Sequence, residues 1–319
     1  MTEIRALIDD KPLEIDKDQQ PNAKAGADFV RDITIDTPRA NGTVSLVALN
    51  QFGPSQAASV KVEWAGLVEE VRPDLYVLAV GVRDYSRPAE LLKFPDQDAR
   101  DFAARMRQQE NHFYARVTPH LLTNDHATID AIKKEFVWLR RQMTQRDVAV
   151  IFLSGHGKKE SASGYDFLPY DADQDNPELT YLHGHEIKYL LGDMPGLKIL
   201  FVDSCYSGNV FNEAGLKGDD GVADVNDLAN QLSTAGSGTV VFTSSQGKEL
   251  SEEIDKWGHG AFTQALLEGL QGQADHPEIH ISQLDAYMAR RVKELTQGRQ
   301  HPTMVRPPGM TNIPIASAQ

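Results

Sequence analysis

Four continuous apolar runs constrain the fold of this chain more than any other feature. They occupy residues 75–82, 148–153, 198–202 and 239–243, with a weaker run near 116–122. Apolar runs without polar alternation are typical of strands that are covered on both faces. Stretches of helical period separate them, at residues 96–109, 128–143, 185–191, 225–233, 260–270 and 281–295. This alternation predicts an α/β fold in which helices flank a mostly parallel central sheet.

The first part of the chain follows a different pattern. Short runs of alternating polarity lie at residues 4–8, 29–35, 44–49 and 60–64, with turn-forming residues at 38–42. Such runs predict antiparallel strands. They are fewer than the roughly seven strands of a complete immunoglobulin-like sandwich, so the module is incomplete or is completed by the following domain. We therefore divide the chain into a small all-β, immunoglobulin-like module at residues 1–70 and an α/β domain at residues 71–319.

Composition disfavours several classes of protein. The net charge of −14 disfavours a nucleic-acid surface, which needs clustered Lys and Arg. No apolar stretch reaches the roughly 18 residues of a membrane span, and the N-terminus lacks a signal-peptide pattern. The single cysteine cannot form an internal disulfide, which fits a reducing compartment. We therefore expect a cytoplasmic protein with neither nucleic acid nor membrane as a partner.

Two polar motifs follow neighbouring apolar runs. Ser-Gly-His-Gly stands at residues 154–157, and Asp-Ser-Cys-Tyr-Ser-Gly stands at residues 203–208. Adjacent parallel strands would place the imidazole of His156 beside the thiol of Cys205, at the sheet edge where ligands of α/β proteins bind. Either residue alone is more often structural. Together they predict a catalytic pair in which Cys205 is the nucleophile and His156 the base.

These motifs resemble the two catalytic blocks of the caspase, metacaspase and paracaspase family of cysteine peptidases. The separation of His156 and Cys205 by 49 residues agrees with the roughly 50 found in caspases. The second block is more similar to metacaspases than to animal caspases, which have Gln-Ala-Cys. The resemblance covers roughly residues 75–310 and implies a cysteine endopeptidase with a Cys-His dyad. It also implies that the backbone N–H groups of Gly157 and Cys205 hold the oxyanion.

The residues around the cysteine predict a preference for basic substrates. Asp203 lies two positions before Cys205, so the two share a side of the strand, and a carboxylate there favours a cationic P1 side chain. The resemblance adds Ser154 and Asp98, which match residues lining the primary specificity pocket of metacaspases. From the residues alone, Asp98 is better explained as an acid at a helix N-terminus, and only the resemblance favours the pocket. We predict cleavage of protein or peptide substrates after Arg or Lys, not after Asp.

Further assignments depend on the resemblance. It implies that Ser244 and Ser245 contact the bound peptide, and we interpret His259 as a helix-start residue. Lys217 lies in a glycine-rich segment and is a candidate self-cleavage site, with an uncut surface loop as the alternative. The acids of that segment lack EF-hand spacing and no zinc pattern is present, so no metal site and no cofactor is predicted. A calcium requirement stays open, because some metacaspases have one.

The β module is similar to small immunoglobulin-like linkers that precede the peptidase domain in some bacterial caspase-like proteins. This similarity implies further domains or regulatory proteins outside this chain as partners. Two alternatives to the leading interpretation stay open. A clostripain-like or legumain-like peptidase would share the His-Gly block and have another P1 preference. A catalytically silent caspase-like module would serve in assembly instead.

Overall fold

The computed structural model describes residues 3–8, 11–13, 15, 33–35, 41–50, 53–63, 72–87, 89, 92–158, 164–206, 225–233, 238–245, 249, 251–272, 277–308 and 310–318. The strands are β1 Glu3–Ile8, β2 Lys11–Leu13, β3 Gly42–Asn50, β4 Gly53–Pro54, β5 Ala58–Val62, β6 Leu75–Gly81, β7 Val117–Thr123, β8 Val148–Lys158, β9 Asp166–Phe167, β10 Leu182–His183, β11 Leu197–Tyr206, β12 Thr239–Thr243, β13 Glu253–Ile254, β14 His259–Gly260, β15 Glu278–His280, β16 Thr303–Val305 and β17 Pro314–Ser317. The α-helices are α1 Pro95–Arg107, α2 Ile129–Gln142, α3 Pro177–Thr180, α4 Gly184–Gly192, α5 Val225–Leu232, α6 Ala261–Gly269 and α7 Ile281–Leu295.

The N-terminal segment forms an antiparallel sheet. Strands β2, β1 and β3 lie side by side in that order, and β4 and β5 both pair with β3. Ala6, Ile8 and Val44 are buried together beneath the sheet. The strand predicted at 29–35 is wrong for residues 33–35, which are not in a strand, while residues 29–32 lie outside the described residues. The antiparallel β character of this segment is confirmed.

The main sheet has the mostly parallel arrangement that the apolar runs predict. Its strands follow the order β7, β6, β8, β11, β12, β16, and the first five are parallel to one another. Strand β16 is antiparallel to β12 at one edge. The short strands β9 and β10 extend the sheet from the C-terminal end of β8. The α/β fold class is therefore confirmed.

Helices cover both faces of this sheet because alternate strand residues point to opposite sides. On one face, α1, α6 and α7 pack on residues such as Val77, Phe152 and Phe201. The Phe102 ring of α1 stacks on Phe152 with 4.7 Å between centroids. On the other face, α2, α4 and α5 pack on the intervening residues, such as Ile151. None of the described helices is both long and apolar enough to span a membrane.

Strands β8 and β11 are longer than their apolar runs predict. We expected them to end at residues 153 and 202, but they continue to Lys158 and Tyr206. Strand β8 therefore runs through its polar motif at 154–157, and β11 continues through residues 203–206 of the second motif. The reason is that β8 and β11 continue to pair with each other beyond the apolar residues. His156 and Cys205 consequently lie within the ladder rather than after it.

Candidate active site

The ladder between β8 and β11 places the two polar motifs opposite each other. Cys205 is the direct register partner of His156, and Asp203 is the partner of Ser154. Neighbouring strands lie about 4.8 Å apart, so each pair of backbone positions is in close proximity. Ser154 and Asp203 lie on the sheet face covered by α1, α6 and α7, because they continue the alternation of Phe152 and Phe201.

His156 lies in a fixed environment beside Tyr85, a residue that the sequence analysis did not single out. The imidazole is only 1% exposed, and its centroid lies 5.1 Å from that of the Tyr85 ring. The backbone N–H of His156 donates to Tyr85 Oη at 2.9 Å, and its carbonyl accepts from Leu168 N at 3.0 Å. The two hydrogen bonds fix the backbone of His156 between Tyr85 and Leu168. The contact with the Tyr85 ring adds to this by packing against the imidazole.

Gly155, between Ser154 and His156, has a backbone conformation and surroundings that require glycine. Its φ angle is +153°, a value that L side chains rarely adopt. A Cβ at this position would lie 3.1 Å from Tyr85 Oη and 3.3 Å from the Phe167 ring. Tyr85 accepts the hydrogen bond from the His156 N–H, and Phe167 lies in β9, which pairs with β8. The glycine of the Ser-Gly-His-Gly motif therefore has a steric cause.

We expect Gly155→Ala to lower the free energy of unfolding by about 1–3 kcal/mol, since it combines a strained backbone with a tight contact. Chemical denaturation of the purified variant measures this loss. Gly192→Ala is the matched control, because Gly192 ends α4 and a Cβ there has nothing within 4 Å. Equal stability of Gly155→Ala and the wild-type protein would contradict the steric argument.

Asp98 and Asp203 meet next to this ladder although 105 residues separate them in the chain. Asp98 lies in the first turn of α1 and Asp203 lies on β11, and they are only 2% and 6% exposed. Both carboxylates face Gly260 at the end of β14. A Cβ on Gly260 would lie 3.0 Å from Asp203 Oδ2 and 3.4 Å from Asp98 Oδ2. The two acids predicted to form one pocket are therefore brought together.

The partners of these carboxylates come from the segment before α6 and from α6 itself. Thr263 Oγ1 donates to Asp203 Oδ2 at 2.7 Å, and Ser251 Oγ donates to Asp203 Oδ1 at 3.1 Å. His259 Nδ1 lies 2.6 Å from Asp98 Oδ1, and the Gly260 N–H donates to Asp98 Oδ2 at 3.3 Å. Within the described residues, no Lys or Arg forms a salt bridge with either acid.

Burial is the main reason why the pKa values of both carboxyl groups are raised. It brings the pKa of Asp98 to about 7, although the hydrogen bond with His259 lowers this pKa and nearby Asp203 raises it. The pKa of Asp203 is also raised by burial, against hydrogen bonds from Thr263 and Ser251 that lower it. A cation that enters between the acids would replace the solvation they have lost. The arrangement can therefore hold a positively charged side chain.

The two serines after β12 are buried beside this acid pair. Ser244 is 1% exposed and Ser245 is 5% exposed. Ser251 Oγ lies 2.5 Å from Ser244 Oγ, and Gln300 Nε2 donates to the Ser244 carbonyl at 2.8 Å. These contacts connect Ser244 to Asp203 through the Ser251 hydroxyl. Contact with a bound peptide stays a prediction for both serines.

The other residues predicted from the sequence are Gly157, Ser154 and Lys217. Gly157 lies in β8, with Tyr206 and Phe167 as its register partners on the two sides, so its role as an oxyanion donor stays a prediction. Ser154 is buried at 2% exposure beside Asp203 in the ladder. Lys217 and the acids at 219, 220 and 224 lie outside the described residues.

His259 is not the helix-start residue that we expected. It lies in β14, and α6 begins two residues later at Ala261 with Gly260 as its N-cap. Its imidazole contacts Asp98 instead of helix backbone. No local sequence signal indicates that His259 and Thr263 each bind one acid of the pair.

Comparisons with known proteins identify the family and the fold of residues 75–309. A family model described as a caspase domain matches residues 75–309. No curated protein matches the chain. Among solved structures, the crystal structure of protein GSU0716 from Geobacter sulfurreducens is similar, with a TM-score of 0.54 and 17% sequence identity. The match covers 77% of this chain and 100% of that one, and at this identity it supports the fold alone.

Proposed function

Because this chain belongs to the caspase-domain family of cysteine peptidases, we propose that it is an endopeptidase that cleaves after arginine or lysine. Cys205 is its nucleophile and His156 its general base. The observation that carries the proposal is the convergence of Asp98 and Asp203 on Gly260, beside the ladder that pairs Cys205 with His156. We propose both the peptidase activity of this protein and its preference for Arg or Lys at P1.

The proposed reaction follows from the paired backbone positions. His156 accepts the proton of the Cys205 thiol, and the thiolate attacks the carbonyl carbon of the scissile bond. The tetrahedral oxyanion is held by the N–H groups of Gly157 and Cys205. His156 then donates its proton to the leaving amine, which leaves a thioester on the cysteine. Water hydrolyses this thioester with His156 as base and restores the thiol.

The proposed specificity follows from charge and burial. Asp98 and Asp203 present carboxylate oxygens toward one space, and Ser154 lies beside Asp203 in the ladder. A guanidinium or ammonium group would form charge-assisted hydrogen bonds there, whereas an acidic P1 side chain would be repelled. The pocket therefore favours protein or peptide substrates with basic P1 residues. Ser244 and Ser245 complete the proposed cleft, and Lys217 is the proposed self-cleavage site.

Profiling with a library of acyl-tetrapeptide fluorogenic substrates that vary only at P1 tests this proposal. We expect kcat/KM for Arg and Lys to exceed that for Asp and Asn by about 100-fold or more, since a buried unpaired charge costs several kcal/mol. The Cys205→Ala variant provides the background rate. A preference for Asn would favour a legumain-like enzyme. Absence of cleavage and of Cys205 labelling by a basic-P1 electrophile, in a folded sample, would favour an assembly module.

A further inference from the structure

His259 occupies the space between two carboxylates of α1. Its Nδ1 lies 2.6 Å from Asp98 Oδ1, and its Nε2 lies 3.4 Å from Asp101 Oδ2. The imidazole is only 12% exposed. Residues three apart on a helix share a face, which is why both acids reach one ring. Both ring nitrogens of His259 are therefore directed at acids of the same helix.

The position of the ring is determined by a short hairpin. Strand β14 pairs with β13, so that Ile254 is opposite His259 and Glu253 is opposite Gly260. Glu253 Oε1 accepts from the backbone N–H groups of Lys93 and Phe94, at 2.7 and 3.0 Å, directly before α1. The side chain of Glu253 thus attaches the hairpin to the backbone at the start of α1. This attachment brings His259 to Asp98 across 161 residues of sequence.

The contact has a directional effect on Asp98. His259 engages Oδ1, so that Oδ2 is the oxygen facing Gly260 and Asp203. Without the imidazole, Asp98 would keep only the hydrogen bond from the Gly260 N–H to Oδ2, and its burial would favour the protonated form more strongly. A protonated acid cannot form a charge-assisted hydrogen bond as an acceptor to a guanidinium group. The imidazole therefore orients the acid and favours its ionised form.

We propose that His259 is a positioning residue of the P1 pocket, which favours the ionised form of Asp98 and directs its Oδ2 at the basic side chain of the substrate. This inference rests on the proposed function, because it concerns the pocket of that same reaction. It makes His259 a determinant of affinity for basic P1 residues without direct contact with the scissile bond. The histidine acts on the substrate through Asp98.

If His259 has this role, its removal should change the pH dependence of cleavage. The groups that face His259 are Asp98 and Asp101 from α1 and Asp203 from β11, with Glu253 on β13 close to Asp203. Loss of the imidazole removes the hydrogen bond that lowers the pKa of Asp98. More of Asp98 is then protonated near neutral pH. The acid limb of the pH profile for basic P1 substrates should therefore move upward.

We expect His259→Leu to raise KM for an acyl-Arg aminocoumarin substrate about tenfold at pH 7, with kcat little changed. We also expect its acid limb to shift upward by about one pH unit. His259→Asn keeps a donor close to the position of Nδ1, so we expect KM within about threefold of wild type. KM, kcat and the pH profile are measured on the full chain for all variants.

His126→Leu is the matched control, because His126 Nδ1 lies 2.9 Å from Asp125 Oδ1 in an exposed pair elsewhere on the molecule. It should leave every parameter unchanged. A purely structural role of His259 would lower stability without moving the acid limb. Wild-type cleavage after Arg together with an unchanged KM and profile in His259→Leu overturns this inference alone. Failure of the wild-type protein to cleave after Arg or Lys overturns the proposed function as well.

Discussion

Replacing Cys205 with alanine is expected to lower kcat/KM for acyl-arginine substrates by at least about 10⁴-fold, because the variant cannot form the thioester intermediate. Alanine removes the only sulfur that the proposed reaction uses. The residual rate would come from binding and from the oxyanion donors alone. Fluorogenic acyl-arginine hydrolysis measures the loss. This loss exceeds the roughly 100-fold effect expected for neutralising a pocket acid such as Asp203.

The cysteine content makes this experiment unusually specific. Cys205 is the only cysteine of the chain, so a thiol-directed electrophile with a basic P1 group has one target. Wild-type protein should be labelled once per chain, and Cys205→Ala should not be labelled. Thermal unfolding of the variant at the wild-type temperature shows that the loss is chemical. Retained hydrolysis by Cys205→Ala would refute the assignment of the nucleophile.

The same variant distinguishes self-cleavage from adventitious cutting. If Lys217 is a self-cleavage site, wild-type protein should yield two fragments that are absent from Cys205→Ala under the same conditions. Identical fragments from both proteins would show that another protease cuts an exposed loop. This readout uses denaturing electrophoresis and mass determination of the new termini.

Local sequence patterns predicted most regular elements of the α/β part of the chain. Helix α7 and strand β12 coincide with the predicted ranges, 281–295 and 239–243. Their signals are strong because helical periodicity and continuous apolar character are properties of the segment itself. The pairing of His156 with Cys205 was also predictable, because consecutive parallel strands in α/β folds tend to be neighbours.

The interior of the candidate pocket was harder to predict. Strands β13 and β14 have two residues each, which is too short for any alternating pattern. They nevertheless bring His259 to Asp98 and, with α6, bring Thr263 to Asp203. Such contacts join segments 60 to 161 residues apart and depend on how the hairpin packs against α1. Sequence periodicity contains no information about that packing.

Asp98 illustrates the same limit at a single residue. Its place in the first turn of a helix favours, from the sequence pattern alone, an interaction with the helix dipole, which would predict an exposed acid. The structure shows it 2% exposed and facing Asp203, an environment that a helix terminus alone does not require. Only the family resemblance distinguished the two interpretations in the sequence.

Replacing Asp203 with asparagine is expected to lower kcat/KM for Arg and Lys substrates by about 100-fold, because one of two buried carboxylates facing the cation is neutralised. Asparagine preserves the shape, and the hydroxyls of Thr263 and Ser251 can still hydrogen-bond to it. P1-library kinetics measure the change. Discrimination against neutral P1 residues should fall in parallel. Asp130→Asn, which removes an exposed carboxylate on α2, is the control.

Asp98→Asn should show the same loss of activity together with a gain in stability at neutral pH. Burial raises the pKa of Asp98 to about 7 in the folded protein, above its ordinary value of about 4. The folded state therefore holds this proton more tightly than the unfolded state, and the stabilisation is present below about pH 4 and lost as the pH rises through about 7. His259 titrates with the same sign, because its pKa is also raised.

Denaturant unfolding at pH 5 and pH 8 tests this coupling of function and stability. We expect the wild-type protein to be less stable at pH 8, and Asp98→Asn to show a smaller difference, because it has no carboxyl group to ionise there. Without a bound cation, the two buried acids of the pocket lower the stability of the folded protein, because each is desolvated and they lie close together. Two results together would contradict this assignment: reduced stability of Asp98→Asn at pH 8, and unchanged cleavage after Arg. Asp98 would then be a structural acid of α1, and Asp203 alone would remain as the proposed acid of the P1 pocket.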